Sequence, residues 1–353
     1  MAARRLCFCL FMLLFGVVLC SAQSALLNIP RQSQAATVSQ RVGITDITVK
    51  YHRPLVNNRQ IFGKVVPYGD VWRAGANENT IVSFTDPVTI EGQNLPAGSY
   101  GLHMIPNADQ WTVIFNKVTT AWGSFTYDQK EDALRVNVKP QSSDMREALT
   151  YDFDEVKPDS TVLTLRWEKV AVPVKIGVNV HDIVQASLEK QLRGIQQYTW
   201  EGWDDAANYL LAEKVDLPDA LKYEDKSIQV EERFDNLMTK SQILDAMGKK
   251  EDAVSTKSKA LAKASPLQLH IYARQLQAQK KQNEAFDIFR ANYKKYPNEW
   301  FVHSGMARIY SSQGDFDSAA KEMKLALAGA PDVAKTGVEG LVKKLEAKQD
   351  INP

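Results

Sequence analysis

Tyr310-Ser311-Ser312-Gln313-Gly314-Asp315-Phe316-Asp317-Ser318-Ala319 decides the fold of the second half of the chain. A helical apolar period enters and leaves it with a glycine between, so it reads as the turn of a helical hairpin. The alanine that closes it recurs: Ala220, Ala253, Ala285 and Ala319 are spaced 33, 32 and 34 residues apart. Small residues stand 12 positions before the later anchors, at Ser241, Ala273 and Ala307, with Asn208 the weak member. Apolar residues stand nine before, at Leu211, Leu244, Leu276 and Tyr310, and Pro297 and Pro331 stand 12 beyond the last two anchors. Such a period with two helices per unit predicts a stacked array, in which small side chains let neighbouring helices approach closely enough to share a core.

Outward from this stretch, the composition from about His181 onward is rich in Ala, Lys, Glu, Gln and Leu, and Asp182 reads as the N-cap of the first helix. The residues resemble the tetratricopeptide repeat over roughly 200–333, best in the last unit and least in the first, where Val215-Asp216-Leu217-Pro218 replaces the glycine turn. Val333–Lys348 reads as a capping helix. The resemblance implies a concave groove that holds a peptide or protein segment. Asn208, Gln242, Arg274 and Arg308 are candidates to line it, though a solvated face is the preferred reading of these residues. His303, Trp200 and Trp203 read as packing residues.

Before His181 the period changes. Ile44–Val49, Thr80–Phe84, Trp111–Phe115 and Thr161–Leu165 are short alternating runs of β-branched and aromatic residues. Turn signals such as Pro67-Tyr68-Gly69 and Pro96-Ala97-Gly98 separate them, the rhythm of an all-β sandwich or jelly-roll-like domain. At 353 residues the chain is long for a single core, and the organisation expected is a leader at 1–22, a β domain at 23–180 and a helical domain at 181–353.

The leader is read from Arg4 and Arg5, the apolar run Leu6–Leu19 and the small residues Cys20-Ser21-Ala22. Cleavage after Ala22 predicts a periplasmic or secreted protein. The apolar run is short of the roughly 20 residues that span a bilayer, so no transmembrane segment is expected after cleavage. Lipid anchoring at Cys20 is the lesser alternative, because Leu19 stands where a small residue is required. All three cysteines, Cys7, Cys9 and Cys20, lie in the leader, which leaves the mature chain no disulfide, thiolate metal site or cysteine nucleophile. Hydrophobic content of 44% is globular, and 43 Lys+Arg against 42 Asp+Glu nominate no nucleic-acid partner.

In the β half, Tyr51-His52-Arg53-Pro54 through Arg59-Gln60-Ile61-Phe62-Gly63 leads to Trp72-Arg73-Ala74-Gly75-Ala76-Asn77-Glu78. With Leu95–Tyr100, Trp111–Lys117 and Trp122-Gly123, these residues resemble the bacterial extracytoplasmic family known as domain of unknown function 2911, over roughly 30–178. His52 departs from the serine of that pattern. The resemblance implies a fold and a compartment but no reaction. By chemistry, Arg53, Arg59 and Arg73 offer planar donor forks, Asn77 and Asn116 amides, Glu78 a carboxylate, and Tyr51 and Trp72 flat faces. The set suits a sugar or a carboxylate-bearing ligand. The opposing reading is structural: Arg73 and Glu78 clamp a Gly75 turn, while Tyr51 and Trp72 fill the core.

No nucleophile elbow, phosphate-binding glycine loop or H-E-x-x-H motif is present, so no catalytic residue, metal or cofactor is expected. The reading is an exported binding or adaptor protein. The alternative is an extracytoplasmic enzyme acting on glycans around Arg73, Asn77 and Glu78, with Asp70 and Glu78 the carboxylate pair to nominate.

Overall fold

A computed structural model of the chain describes residues 30–353; the leader, its three cysteines and the Ala22 cleavage site lie outside the described residues. The chain divides into two units, the first ending at Val184 and the second spanning Gln185–Pro353.

Strands make up the first unit: β1 (Gln34–Val42), β2 (Thr45–Arg53), β3 (Ile81–Phe84), β4 (Val88–Ile90), β5 (Gln93–Leu95), β6 (Gly98–Ile105), β7 (Trp111–Asn116), β8 (Asp132–Val138), β9 (Gln141–Asp154) and β10 (Ser160–Gly177). They form a six-stranded sheet in the order β1-β2-β3-β6-β7-β8 and a four-stranded sheet in the order β5-β4-β10-β9. All pairings are antiparallel. Alternation places the core: β2 buries Ile47, Val49 and Tyr51 between the more exposed Thr48 and Lys50. In β10 the ladder shifts register on both sides of Glu168, which has φ 56°. This irregularity moves the buried positions from Leu163, Leu165 and Trp167 to Val172, Val174 and Ile176, so one long strand serves a single core along its length.

Residues of both sheets meet in one apolar cluster. Its centre is aromatic, with Phe62 edge-on to Trp111 at 4.9 Å and Trp72 stacked on Trp167 at 5.8 Å. Phe62 and Trp72 come from the long connection between β2 and β3. That connection is tied to β6 by paired backbone bonds between Trp72 and Met104 at 2.8 Å, and to β9 through Val56 N–H to the Glu147 carbonyl at 2.8 Å. The candidate site is built on this connection.

Helix α1 (Val180–Gln191) opens at Val180, with Asn179 Oδ1 accepting the Asp182 N–H at 3.4 Å; Asp182 thus lies in the first turn rather than capping it. The second unit continues with four helical hairpins, α2 (Trp200–Glu213) with α3 (Leu217–Val230), α4 (Phe234–Ala246) with α5 (Lys250–Lys263), α6 (Pro266–Ala278) with α7 (Gln282–Lys295), and α8 (Trp300–Ser312) with α9 (Phe316–Gly329). A last helix, α10 (Asp332–Glu346), packs on α9. The array is a helical solenoid. All four anchor alanines are buried, as are Ser241, Ala273 and Ala307.

At the small position only the first hairpin slips, whereas at the apolar position Tyr310 of the fourth is half-buried beside buried Ile309. In the first hairpin Ala207 and Leu210 take the buried places, while Asn208 is exposed and Leu211 half-buried. The turn explains this. The second and fourth hairpins turn through Gly248 and Gly314 at φ 79° and 77°, but the first carries left-handed Lys214 and Asp216 before a proline-led helix start.

Candidate functional site

The Trp72–Glu78 stretch is held in an unusual backbone. Ala74 and Asn77 have φ 49° and 56°, a region that disfavours side chains, and both positions are locked by contacts from elsewhere. The Ala74 carbonyl accepts Thr80 Oγ1 at 3.2 Å and Tyr151 Oη at 2.8 Å, and Asn77 Nδ2 donates to the Ser33 carbonyl at 3.1 Å. Between them Gly75 is required by space, since an added Cβ would fall 2.5 Å from Thr80 Oγ1.

Most of the polar groups nominated from the sequence hold this architecture. Tyr51 is buried and its oxygen accepts the Tyr151 N–H. Trp72 Nε1 donates to the Gly75 carbonyl at 3.1 Å. Arg53 Nε donates to the Leu149 carbonyl at 3.0 Å, and Arg59 donates to the carbonyls of Val56 and Leu55 at 3.0 and 2.6 Å. Asn116 is buried, donating to the Asp128 carbonyl and to Asp132 and accepting the Val118 N–H. Asp132 in turn takes Tyr127 Oη at 2.6 Å and Arg135 Nε at 2.7 Å. Burial and the bond to Asp132 push Tyr127 up to about 12.

Glu78 is clamped, but not by Arg73. Its Oε1 accepts Arg31 Nη1 at 2.7 Å, and its Oε2 lies 3.2 Å from His52 Nε2 without forming a hydrogen bond. Burial alone would raise this carboxyl; its own backbone N–H, Arg31 and His52 outweigh that and hold it below the usual carboxylate range. The residue is therefore an ionised clamp at neutral pH, the wrong state for a general acid.

Arg73 is the exception. Its guanidinium makes no hydrogen bond or ion pair among the described residues, its Nε is buried without a partner, and burial lowers it from the usual arginine value. Nη1 approaches Gly123, where an added Cβ would lie 3.7 Å away, and the charge is felt by buried His103, whose Nδ1 is 3.0 Å from Ser124 Oγ. Arg73 also lines a cleft of about 360 Å³ together with Arg59, Trp72, Asn77, Asn57 and Trp167. Four of the eight nominated residues thus share a cavity, and Tyr51, Arg53, Glu78 and Asn116 do not line it.

Trp167, on β10, belongs to no motif singled out in the sequence. It is almost wholly buried, yet its Nε1 has no acceptor among the described residues. Two residues that line one cleft, Arg73 and Trp167, thus each carry a buried N–H donor with no acceptor among the described residues.

Residues 33–176 match the family described as Protein of unknown function (DUF2911). The β domain is a DUF2911 match. The matched span runs from just before β1 into the last residues of β10 and contains the whole β2–β3 connection, so every lining residue of the cleft but Gln32 falls within it. No curated protein matches the chain.

In the helical unit, Arg274 lies on α6 and Arg308 on α8, helices that pack side by side. Arg274 Nη1 donates to Gln277 Oε1 at 2.9 Å, and neither arginine has a carboxylate within salt-bridge distance among the described residues. Burial, then Arg274, lower Arg308 to about 9 despite Asp350. Nearby His270 falls to about 3 through burial and the same two arginines. Gln242 is exposed and lines a separate cavity of about 470 Å³ with Tyr272 and Leu276, and Asn208 is exposed, accepting Thr239 Oγ1 at 3.4 Å. His303 Nδ1 lies 2.7 Å from Glu322 Oε2 and its ring meets Tyr293 edge-on, a polar contact rather than plain core packing.

Among the described residues no group of three or more His, Cys, Asp or Glu is arranged to hold a metal ion, and no helix is long and apolar enough to cross a membrane.

Proposed function

We propose that the chain is an exported, non-catalytic binding protein with two modules. The β domain holds a small, acceptor-rich ligand of the sugar or carboxylate class. The helical half, read as a tetratricopeptide-like array, holds an extended segment of a protein partner.

The observation that carries the reading is the pair of orphaned donors, Arg73 Nε and Trp167 Nε1, on residues that wall the same cleft. A buried donor left without an acceptor costs on the order of 1–3 kcal/mol, and a side-chain rotation that turns either N–H into the cleft would let a ligand oxygen recover it. A carboxylate adds charge that Arg73 lacks, and half-buried Trp72 offers an apolar edge beside it. In the helical half, support comes from the buried anchor alanines and from two arginines without carboxylate partners on adjacent helices.

Calorimetric titration of the full chain with glucuronate, and with glucose as the neutral control, tests the β module. Binding that favours the acid and disappears in Arg73→Met is expected; equal binding by that variant would end the cleft reading. An array of acidic, neutral and basic 12-residue peptides tests the helical half. Preference for acidic peptides, weakened by salt and by Arg274→Met, is the expected result.

A further inference from the structure

The residues after α10 turn back over α8 and α6. Arg308 Nη1 donates to the Ile351 carbonyl at 2.7 Å, and Asn352 Nδ2 returns a bond to the Arg308 carbonyl at 2.9 Å. Ser311 Oγ donates to Asp350 Oδ1 at 2.6 Å and accepts the Ile351 N–H at 3.1 Å. One helix further on, Gln277 Nε2 donates to Asn352 Oδ1 at 2.7 Å. Ile351 is buried in the apolar cluster of the last hairpin and α10.

This segment has no regular structure of its own, and side chains on the solenoid hold both its backbone and its side chains. That is how an extended peptide is held on a helical surface, not how helices pack. The strip beneath it is polar. Gln277, Arg308 and Ser311 are all buried, whereas a contact made only for stability would favour apolar residues there.

The fit is also incomplete in charge. Asp350 bonds to Ser311 instead of reaching Arg308, whose Nε stays unpartnered and which faces the charge of Arg274. The titratable groups around Arg308 are Arg274, His270 and Asp350, and only the last is acidic. A segment whose carboxylate met the two arginines would therefore outbid the resident one.

We infer that the strip formed by Gln277, Arg308 and Ser311 is a peptide site, and that Asp350–Asn352 occupies it as a built-in competitor. The partner it fits is an extended segment with a carboxylate, a branched aliphatic and a carboxamide side chain in succession. The inference rests on the peptide-binding half of the function proposed above. Because the resident segment is tethered, its effective concentration is about millimolar, and a partner's apparent affinity falls by the fraction of molecules that are open.

The probe is a fluorescent peptide of the sequence Lys348-Gln349-Asp350-Ile351-Asn352-Pro353, followed by polarisation. The full chain carrying Asp350→Ala, Ile351→Ala and Asn352→Ala is expected to bind it at least tenfold more tightly than the unsubstituted chain. Adding Arg308→Met to that variant is expected to abolish binding. Equal binding by the two chains, or binding indifferent to Arg308, overturns the inference. Hydrogen exchange on the unsubstituted chain serves if the variant does not fold: the Ile351 amide should exchange at least tenfold faster than amides in the middle of α8, and equal protection also overturns it. If acidic array peptides bind both chains alike, the competitor fails and the peptide-binding reading stands. If no peptide binds either chain, both fall.

Discussion

The oxygen of Tyr51 accepts the backbone N–H of Tyr151 at 3.2 Å, and the two rings meet edge-on with centroids 4.8 Å apart. Tyr51 is on β2 of the six-stranded sheet and Tyr151 on β9 of the four-stranded one, so this is a bond between sheets. Tyr151 Oη goes on to the Ala74 carbonyl at 2.8 Å, which extends the tie to the strained connection. Tyr51→Phe keeps the ring and removes the acceptor from a buried N–H. It is expected to lower unfolding free energy by about 1–3 kcal/mol in urea titrations and to leave ligand affinity unchanged. A loss below about 0.5 kcal/mol would remove Tyr51 from this role.

Glu224 is wholly buried on α3 and neighbours Asp204 of α2, and among the described residues neither Glu224 oxygen nor Asp204 Oδ1 has a partner while both residues are charged. Burial, then Asp204, push Glu224 up to about 9, so at neutral pH it carries a proton that it can donate to Asp204. A carboxyl raised from 4.5 to about 9 contributes stability that is fully present below 4.5 and is lost as pH rises towards 9. The melting temperature should therefore fall between pH 5 and 9. Glu224→Gln keeps a donor for Asp204 and has no proton to lose, so its curve should be flatter, with a gain on the order of 2 kcal/mol at the alkaline end. Parallel curves for the two proteins would show that Glu224 is not the titrating group.

The repeat was legible because its constraint is local and periodic: a methyl group is all that fits where helices touch, and it must recur at each hairpin. Ala253, Ala285 and Ala319 follow that rule. Asn208 does not, because the Lys214–Asp216 turn shifts the first hairpin by one residue, and turn geometry of this kind leaves little trace in composition. In the β domain the motif around Trp72–Glu78 marked the right connection, but pairing across the fold was hidden. Glu78 finds Arg31 and His52, not the neighbouring Arg73, since contacts between distant strands depend on topology. Trp167 was invisible as a cleft residue for the same reason.

Gly305 on α8 extends the small-residue argument to a position that the alanine spacing does not mark. A Cβ there would lie 2.7 Å from Phe289 Cδ1 on α7, closer than packed atoms come. Helical propensity alone would favour Gly305→Ala by about 1 kcal/mol. The clash with a buried ring that α7 cannot withdraw should win, giving a net loss of about 1–3 kcal/mol in thermal or urea unfolding. A more stable variant would mean that the third and fourth hairpins are looser than this contact implies.

Arg73 separates a binding residue from a clamp, because the two roles predict opposite effects on stability. A half-buried cation with no acidic partner is a burden on the fold, so Arg73→Met should leave stability within about 1 kcal/mol of the unsubstituted protein or raise it. The neighbouring His103 supplies an independent readout. Burial, opposed by Asp132 and reinforced by Arg73, lowers His103 to about 4. A histidine lowered from 6.5 to about 4 stays neutral when folded, so the protein loses stability as pH falls through that interval. Removing the Arg73 charge should raise the His103 titration midpoint in a nuclear magnetic resonance experiment and make the acid loss shallower. An unmoved midpoint together with a loss above about 2 kcal/mol would mark Arg73 as a structural element whose partner is not a ligand.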